Sequence, residues 1–306
     1  MEKKILFVRA FSNFTGGHLK HAHYIGHAQR HPDFSPILHV TPNSQRRALE
    51  NILPPEVPRT SLPSDADINF VAGMDWDILD RSGQKTDGIP TINFVQGVRH
   101  ALPSHPLYKF LNRPAIRICV STQVAQLLAD TKKVNGPILV NPNGIDLSIL
   151  ATHRTAAKNG RIVIAGLKDQ HLAIKIAERL RTLKVPFDLL NTPLSREAYL
   201  NKIGQYSIAI CLPLPAEGFY LPALEAMAMN VCVVTTDCIG SRDFCLHDET
   251  CLVLPRDASI LAQSAARLLA NSRETTLLKE QAFRVAKYYN IERERKNFHT
   301  ILDTYF

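Results

Sequence analysis

Two carboxylates that could act on a polar ligand stand eight positions apart, at Glu217 and Glu225. The stretch before them, residues 212–215, contains two prolines, which lack an N–H and disfavour helix in the preceding residue. We therefore expect a helix to begin near Tyr220, with Pro222 in its first turn. Glu217 then lies beside unpaired helix N–H groups, and Glu225 lies about two turns further on. Such a helix terminus suits sugar hydroxyls or a phosphate.

Short apolar runs alternate with helix-length segments along the chain and fall into two successive sets. The first set comprises residues 5–8, 37–40, 68–71, 91–95, 116–120 and 138–140, and the second comprises 161–165, 187–190, 208–212, 231–235 and 251–254. Continuous apolar strands separated by such segments are typical of parallel sheets covered by helices on both faces. The pattern predicts an α/β protein with two consecutive doubly wound domains.

The break between the two sets is expected in the polar stretch 152–159, which leaves a first domain of residues 1–151 and a second of residues 160–285. A long polar helix over residues 274–306, interrupted near Tyr289-Asn290, ends the chain. We expect its last part, residues 286–306, to cross back to the first domain. Its basic side chains leave a peripheral membrane contact as an alternative to this bracing role.

The composition of the chain limits which ligands it is expected to bind and where in the cell it is expected to be. The 306 residues carry a net charge of +8, spread over both halves, so no basic tail indicates a nucleic-acid-binding arm, whereas an anionic ligand such as a nucleotide fits. The six cysteines include no C-x-x-C pair and are interpreted as free thiols in a reducing compartment. The first apolar run is too short for a signal peptide or a membrane span. We expect a cytoplasmic protein, with the inner face of the membrane as an alternative location.

Three further patches accompany the pair of glutamates, in a fixed order. They are Phe14-Thr-Gly-Gly-His18 after the first strand, Val120-Ser121 at a strand end, and Asn141-Pro-Asn-Gly-Ile-Asp146 near the end of the first domain. Together the four patches, spread over about residues 5–255, resemble the motifs of retaining GT-B glycosyltransferases of family 4, the glycosyl transferases group 1. The resemblance implies GT-B architecture, with two Rossmann-like doubly wound domains facing a central cleft.

The resemblance also implies roles for individual residues. Glu217 would contact the donor sugar, Lys168 would neutralise the leaving diphosphate, and His100 is a third catalytic candidate. The expected donor-binding residues are Gly16, Gly17, Gly166, Gly218, Phe219, Tyr220, Leu221 and Glu225. Glu225 would hold the nucleotide ribose, and the base would meet the loop of residues 191–196. The acceptor-side candidates are His18, Gln96 and Arg99. A nucleotide-sugar is the implied donor, with no cofactor and no metal.

The chain departs from the family pattern at several of these positions. The arginine that usually precedes the diphosphate-binding lysine is missing, because Gly166 is followed by Leu167-Lys168. Gln96 stands where many members carry a histidine, which makes His100 an alternative. Tyr220 replaces a frequent glycine and fills more of the sugar pocket. Asn230 replaces another glycine, and asparagine tolerates the left-handed conformation expected at that helix end.

Several motifs have a plainer interpretation beside the chemical one. Glu217 could only cap its helix. The histidines between His18 and His27 include an i,i+4 pair that could bind a metal, but a solvated helix face is the favoured interpretation. Asp75-Trp-Asp77 imitates a metal-binding Asp-x-Asp and more simply starts a helix.

The function favoured by the sequence is a retaining glycosyltransferase that moves a sugar from a nucleotide-sugar to a glycan, a lipid-linked glycan or a small-molecule acceptor. Two alternatives use the same scaffold: a sugar-nucleotide epimerase, or a catalytically inactive sugar-nucleotide-binding protein. Fold alone does not separate these three.

Overall fold

The computed structural model describes residues 2–11, 15–42, 44–45, 53–54, 56–155 and 158–306. Phe14, part of the double-glycine patch, lies outside the described residues. The chain divides into two compact units, Met1–Asn143 with Glu292–Phe306, and Gly144–Ile291. None of the helices in the described ranges is long and apolar enough to cross a membrane.

The first unit is built on a six-stranded sheet in the order β2-β1-β3-β4-β5-β6. All its strand pairs are parallel. Its strands are β1 Lys3–Arg9, β2 Phe34–Val40, β3 Ile68–Ala72, β4 Thr91–Val95, β5 Ile116–Cys119 and β6 Ile138–Val140. Its described α-helices are α1 Gly16–Gln29, α2 Asp75–Ser82 and α3 Thr122–Asp130, together with the last helix of the chain, α10 Ile291–Tyr305. Short 3-10 helices span Val98–Ala101 and Pro106–Phe110.

The second unit is built on a five-stranded parallel sheet in the order β11-β10-β9-β7-β8. Its strands are β7 Ile162–Ala165, β8 Phe187–Leu190, β9 Ile208–Cys211, β10 Cys232–Thr236 and β11 Leu252–Leu254. Its α-helices are α4 Leu147–His153, α5 Gln170–Thr182, α6 Arg196–Ile203, α7 Leu221–Ala228, α8 Ala258–Ala270 and α9 Ser272–Tyr288.

Side-chain caps set where many of the helices begin. In each case a hydroxyl, carboxylate or amide oxygen accepts a bond from an N–H of the first turn, which satisfies a group that has no partner inside the helix. The capping residues are Thr15, Ser121, Asp146, Asp169, Ser195, Asp257 and Asn271. Helix α7 differs, because its N-cap residue Tyr220 makes no side-chain cap bond and a proline stands in the first turn. Its start matches the sequence prediction.

The second sheet is buried on both faces. Alternate residues of each strand enter two separate hydrophobic clusters: Val163 and Ala209 belong to one, and Ile162 and Ile208 to the other. This arrangement explains why the strands read as uninterrupted apolar runs. The prediction of two parallel, doubly wound sheets is confirmed.

The division between the units lies earlier than the polar stretch in which the sequence suggested it. Ile145 and Leu150 belong to a hydrophobic cluster of the second unit, and Asp146 caps the helix that carries Leu150. A helix whose apolar side chain is buried with that cluster belongs to the same unit, although it precedes the first strand of the sheet.

The two helices that end the chain are separated at Tyr289-Asn290, as the sequence indicated. In the first unit, Phe298 of α10 packs against Tyr24 and Phe70, and Ile301 and Leu302 are buried. The apolar side chains of this polar helix are therefore used in the core of the first unit.

Candidate functional site in the second unit

The second sheet has a topological switch point between β7 and β9. The chain leaves β7 toward β8 on one side, whereas β9 lies on the other side. In open parallel sheets, ligands bind in the crevice that opens at the carboxyl ends of such strands. The loops at this point are residues 166–169 after β7 and residues 212–220 after β9, which contain Lys168 and Glu217.

Lys168 and Glu217 form an ion pair across this switch point, between Nζ and Oε1. The lysine side chain is 42% exposed and the glutamate side chain 18%. The ammonium also lies 5.4 Å from the centre of the Tyr220 ring. The structure thus brings together two residues that the sequence assigned to catalysis. A cation and a carboxylate so placed can meet a departing phosphate and a positive sugar carbon, respectively.

The backbone around Glu217 is held by a neighbouring loop. The N–H of Gly240 donates to the carbonyl oxygen of Glu217 at 2.8 Å. A Cβ on Gly240 would lie 2.1 Å from the carbonyl group of Gly218, so only glycine fits against this segment. The position of Glu217 therefore depends on a close backbone contact from residues that lie after β10.

Gly166 has a packing role. A Cβ at this position would lie 2.3 Å from Cβ of Ala173 in α5 and 3.3 Å from Leu189 in β8. The missing side chain lets the helix approach the end of β7. The expected donor contact of Gly166 stays a prediction.

Glu225 is buried and paired with a basic residue. Its Oε1 accepts a bond from Nη2 of Arg196 at 2.7 Å, and its side chain is 3% exposed against 28% for the arginine. Arg196 opens helix α6, at the end of the loop of residues 191–196 that was expected to meet the base. The partner of Glu225 was not predicted, although it lies in that loop.

Arg256 is a second arginine that the sequence analysis missed. It follows β11, and its guanidinium contacts Asp169, Thr236 and the carbonyl of Pro213. It therefore lies beside the residue that follows Lys168, although the two positions are far apart in the sequence. No local motif identifies Arg256, because its partners lie at or beyond the ends of other strands.

Asn230, after helix α7, has φ 60°. The left-handed conformation expected there is confirmed.

In the first unit, several predicted residues cluster at the N-terminus of α1. Nε2 of Gln96 donates to the carbonyl oxygen of Gly17 at 3.2 Å, and a Cβ on Gly17 would lie 3.1 Å from Oε1 of Gln96. Thr15 accepts a bond from the N–H of His18, and Gly16 begins the helix. The structure therefore brings Gly17, His18 and Gln96 close together.

The remaining candidates of the first unit differ in exposure. Arg99 is exposed on the 3-10 helix after β4, whereas His100 beside it is buried. Burial, with smaller effects of His105 and Arg117, lowers the pKa of His100 to about 4. The imidazole is therefore neutral at neutral pH.

The interpretation of the α1 histidines as a solvated face is wrong. His18, His21 and His27 are all buried, because α1 packs between the sheet and helix α10. The rings of Phe7, Phe11 and Phe70 surround His21, whose pKa is lowered by burial. These side chains are part of the core.

The structure gives Asp75 and Asp77 cationic partners. Asp75 binds Arg9 at 3.1 Å and accepts a bond from the N–H of Ala72, and Asp77 binds Lys109 at 3.0 Å. Helix α2 begins at Asp75, as the plainer interpretation predicted. Across the described ranges, no group of three His, Cys, Asp or Glu side chains could hold a metal ion.

Residues 134–271 match the family model of Glycosyl transferases group 1. This part of the chain is therefore similar to glycosyltransferases of that family. The matched residues include the whole second sheet and the Lys168–Glu217 pair. No curated protein sequence matches the chain.

Solved structures with the same fold cover nearly the full chain. HepE of Anabaena in complex with UDP and glucose is 14% identical, with a TM-score of 0.73 over 99% of this chain and 100% of that chain. A glycosyltransferase of Rickettsia africae is also 14% identical, with a TM-score of 0.72 over 98% and 97% of the two chains. A UDP-N-acetylglucosamine 2-epimerase is 13% identical, with a TM-score of 0.64 over 100% and 97%.

These likenesses confirm the expected GT-B fold class, and the family match confirms the expected glycosyltransferase class. An epimerase shares the fold, so the fold by itself does not determine which reaction a protein catalyses.

Proposed function

We propose that the protein is a retaining glycosyltransferase that uses a nucleotide-sugar as its donor. The observation that carries the proposal is the Lys168–Glu217 ion pair at the switch point of the second sheet, next to the N-terminus of α7. A helix N-terminus without a side-chain cap attracts anions and polar oxygen atoms. Lysine beside it adds the charge that a diphosphate needs.

In this proposal, Lys168 leaves Glu217 when the donor binds and neutralises the diphosphate. Glu217 is then free to contact the sugar and to stabilise positive charge at its anomeric carbon. Backbone groups of Gly218, Phe219, Tyr220 and Leu221 would meet sugar hydroxyls. Glu225 would accept hydrogen bonds from the ribose.

The reaction exchanges one bond for another at the anomeric carbon. The bond between this carbon and the diphosphate oxygen breaks, and a bond to the acceptor oxygen forms on the same face of the sugar. The acceptor proton leaves with the diphosphate. The contribution of the protein is electrostatic, because preorganised charges usually supply the largest share of such catalysis.

The acceptor is a glycan, a lipid-linked glycan or a small molecule. Its candidate contacts are His18, Gln96 and Arg99 in the first unit. Gly16 and Gly17 offer a second helix N-terminus for phosphate, and His100 stays a candidate for catalysis although it is neutral. The six cysteines are all free and buried, which supports a reducing, cytoplasmic setting, with contact at the inner membrane face as an alternative.

The proposal is tested by incubating the chain with UDP-, GDP- and ADP-sugars and following the sugar by NMR. UDP-sugars come first, because HepE was crystallised with UDP and glucose. Slow hydrolysis or transfer that keeps the anomeric configuration supports the proposal, and inversion contradicts the retaining mechanism. Epimerised nucleotide-sugar would identify the chain as an epimerase. Thermal stabilisation without turnover would identify a binding protein.

A further inference from the structure

We propose that Arg256 is a positioning residue that holds both members of the Lys168–Glu217 pair in place. The inference rests on the proposed function, since it assigns Arg256 a role in that site. Arg256 lies between β11 and α8, and nothing in its local sequence marks it as functional.

The guanidinium of Arg256 joins three different segments at the carboxyl edge of the second sheet. Its Nη2 donates to Oδ2 of Asp169 at 2.5 Å. Its Nη1 donates to the carbonyl oxygen of Pro213 at 2.7 Å and to Oγ1 of Thr236 at 2.9 Å. Asp169 follows β7, Pro213 follows β9 and Thr236 ends β10. Arg256 itself follows β11. One side chain therefore connects the ends of four strands.

Two of these contacts are made to the loops that carry Lys168 and Glu217. Asp169 is the next residue after Lys168, and Pro213 lies in the loop that leads to Glu217. The hydrogen bonds of the sheet end with the strands, so they do not fix the spacing of the loops beyond them. Arg256 supplies that missing connection between the lysine loop and the glutamate loop.

Both carboxylate oxygens of Asp169 have partners, so its contact with Arg256 can fix the position of the loop that carries Lys168. Its Oδ1 caps helix α5 by accepting a bond from the N–H of Leu172 at 3.1 Å, while its Oδ2 meets Arg256. Burial alone would raise the pKa of Asp169, but the Leu172 N–H and Arg256 lower it below its usual value. The ionised carboxylate is thus anchored on one side to a helix and on the other to the guanidinium.

Arginine is the residue type that this geometry requires. Its planar fork presents several N–H donors in fixed directions, so it can satisfy a carboxylate, a carbonyl and a hydroxyl together. Lysine carries the same charge as a flexible point and cannot keep all three contacts in one geometry. Substitution by lysine therefore separates the role of geometry from the role of charge.

A competing role is direct binding of the donor diphosphate by the Arg256 charge. The two roles predict opposite effects of Asp169→Asn. If Arg256 positions the loops, loss of the Asp169 charge loosens the connection and lowers turnover. If Arg256 binds phosphate, loss of its competing carboxylate frees the guanidinium and strengthens UDP binding.

The experiment compares Arg256→Lys and Asp169→Asn with the wild-type chain. Arg161→Lys is the matched control, because Arg161 also binds a carboxylate, Asp188, and a backbone carbonyl, that of Phe187, at the amino end of β7. We expect donor turnover to fall about tenfold or more in both variants, since small displacements of reacting groups have effects of that order, and to stay near normal in the control. Turnover near the wild-type value in Arg256→Lys, or tighter UDP binding in Asp169→Asn, overturns the proposal.

Hydrogen exchange tests the same inference without any nucleotide. Arg256→Ala should speed amide exchange in both residues 166–169 and residues 212–218, and Arg161→Ala should not. Unchanged exchange in either loop refutes the positioning role, whatever the chain turns over. Conversely, a wild-type chain that neither binds UDP, GDP or ADP nor turns over their sugars defeats the proposed function, even when exchange behaves as expected.

Discussion

Glu217 and Lys168 form an ion pair in this structure, so under the proposed function an entering diphosphate would replace one ion pair with another. Under the proposed function, the exchange would keep Lys168 paired with the diphosphate and would leave Glu217 as an uncompensated carboxylate close to the sugar. A carboxylate in that state is best able to stabilise positive charge, because no bound cation reduces its field. The proposal therefore predicts that donor binding and activation of Glu217 are coupled through these two side chains.

Glu217→Gln keeps the hydrogen-bonding shape and removes the charge. We expect turnover to fall on the order of a hundredfold or more, as for loss of other contacts to the transition state. Donor affinity should hold or rise, because Lys168 loses its competing partner. Turnover, donor Kd and melting temperature are measured together, with the exposed Glu249→Gln as control. Near-normal transfer with a lowered melting temperature would make Glu217 a structural residue only.

Glu225 is predicted to bind the ribose, and its burial sharpens the test. Charge-assisted hydrogen bonds contribute about 1.5–3 kcal/mol, so Glu225→Gln should weaken UDP binding by about 10- to 100-fold. The wild-type chain should also prefer UDP to 2′-deoxy-UDP or 3′-deoxy-UDP, and the variant should lose this preference. Both are measured by calorimetry.

Arg196→Gln is the matched control for Glu225, since it breaks the same ion pair but keeps the carboxylate. It should retain the preference for ribose hydroxyls. A wild-type chain that binds all three nucleotides equally well would defeat the ribose assignment.

At the scale of elements, helix α10 is held to α1 by buried charges as well as by apolar contacts. Lys20 forms an ion pair with Oε2 of Glu294, and Nε2 of His27 lies 3.2 Å from Oε1 of the same carboxylate. The side chains of all three residues are at most 1% exposed. Loss of one partner would leave the other charge buried and uncompensated.

Glu294→Gln should therefore lower the free energy of unfolding by about 3–5 kcal/mol at neutral pH. Burial alone would raise the pKa of Glu294, but Lys20 and His27 outweigh it and hold the pKa at about 2, against 4.5 for the free side chain. The unfolded chain binds more protons between these values, so this stabilisation is complete above about pH 4.5 and is lost as the pH falls toward 2. Urea unfolding at several pH values measures the difference between the two proteins.

Glu292→Gln on the same helix is the control, because that side chain is 61% exposed. It should change the unfolding free energy little at any pH. A Glu294→Gln difference that does not shrink between pH 4.5 and 2 would contradict the assignment of this effect to the buried ion pair.

An element can be predicted from the sequence when the interactions that form it are local, and it is missed when they come from distant segments. Strands and helix starts depend on local patterns, such as the prolines before α7, and these could be read from the sequence. The α1 histidines were misread because their burial depends on tertiary contacts: phenylalanine rings surround His21, and α10, more than two hundred positions later in the sequence, covers His27. A polar helix face that a distant segment covers carries no local signal.

At the scale of the whole molecule, the succession of the two sheets along the chain and the closeness of Lys168 and Glu217 could be predicted, whereas the arginines near this pair could not. Lys168 and Glu217 follow neighbouring strands, so the topology of a parallel sheet brings them together. Arg196 and Arg256 reach their carboxylates through tertiary packing that no motif describes. The apparent lack of an arginine next to Lys168 therefore gave an incomplete picture of the charge at this edge.

The distribution of charge leads to a last prediction, that turnover does not need a divalent metal. Lys168 and the N-terminus of α7 offer positive charge to a diphosphate at the switch point. The carboxylates that imitate a metal motif, Asp75 and Asp77, are already bound to Arg9 and Lys109. We expect donor turnover in excess EDTA to stay within about twofold of the untreated value, a change of under about half a kilocalorie per mole in the barrier. Complete loss of turnover in EDTA, reversed by added Mg²⁺ or Mn²⁺, would contradict this prediction and would return Asp75, Asp77 and the α1 histidines to consideration as ligands.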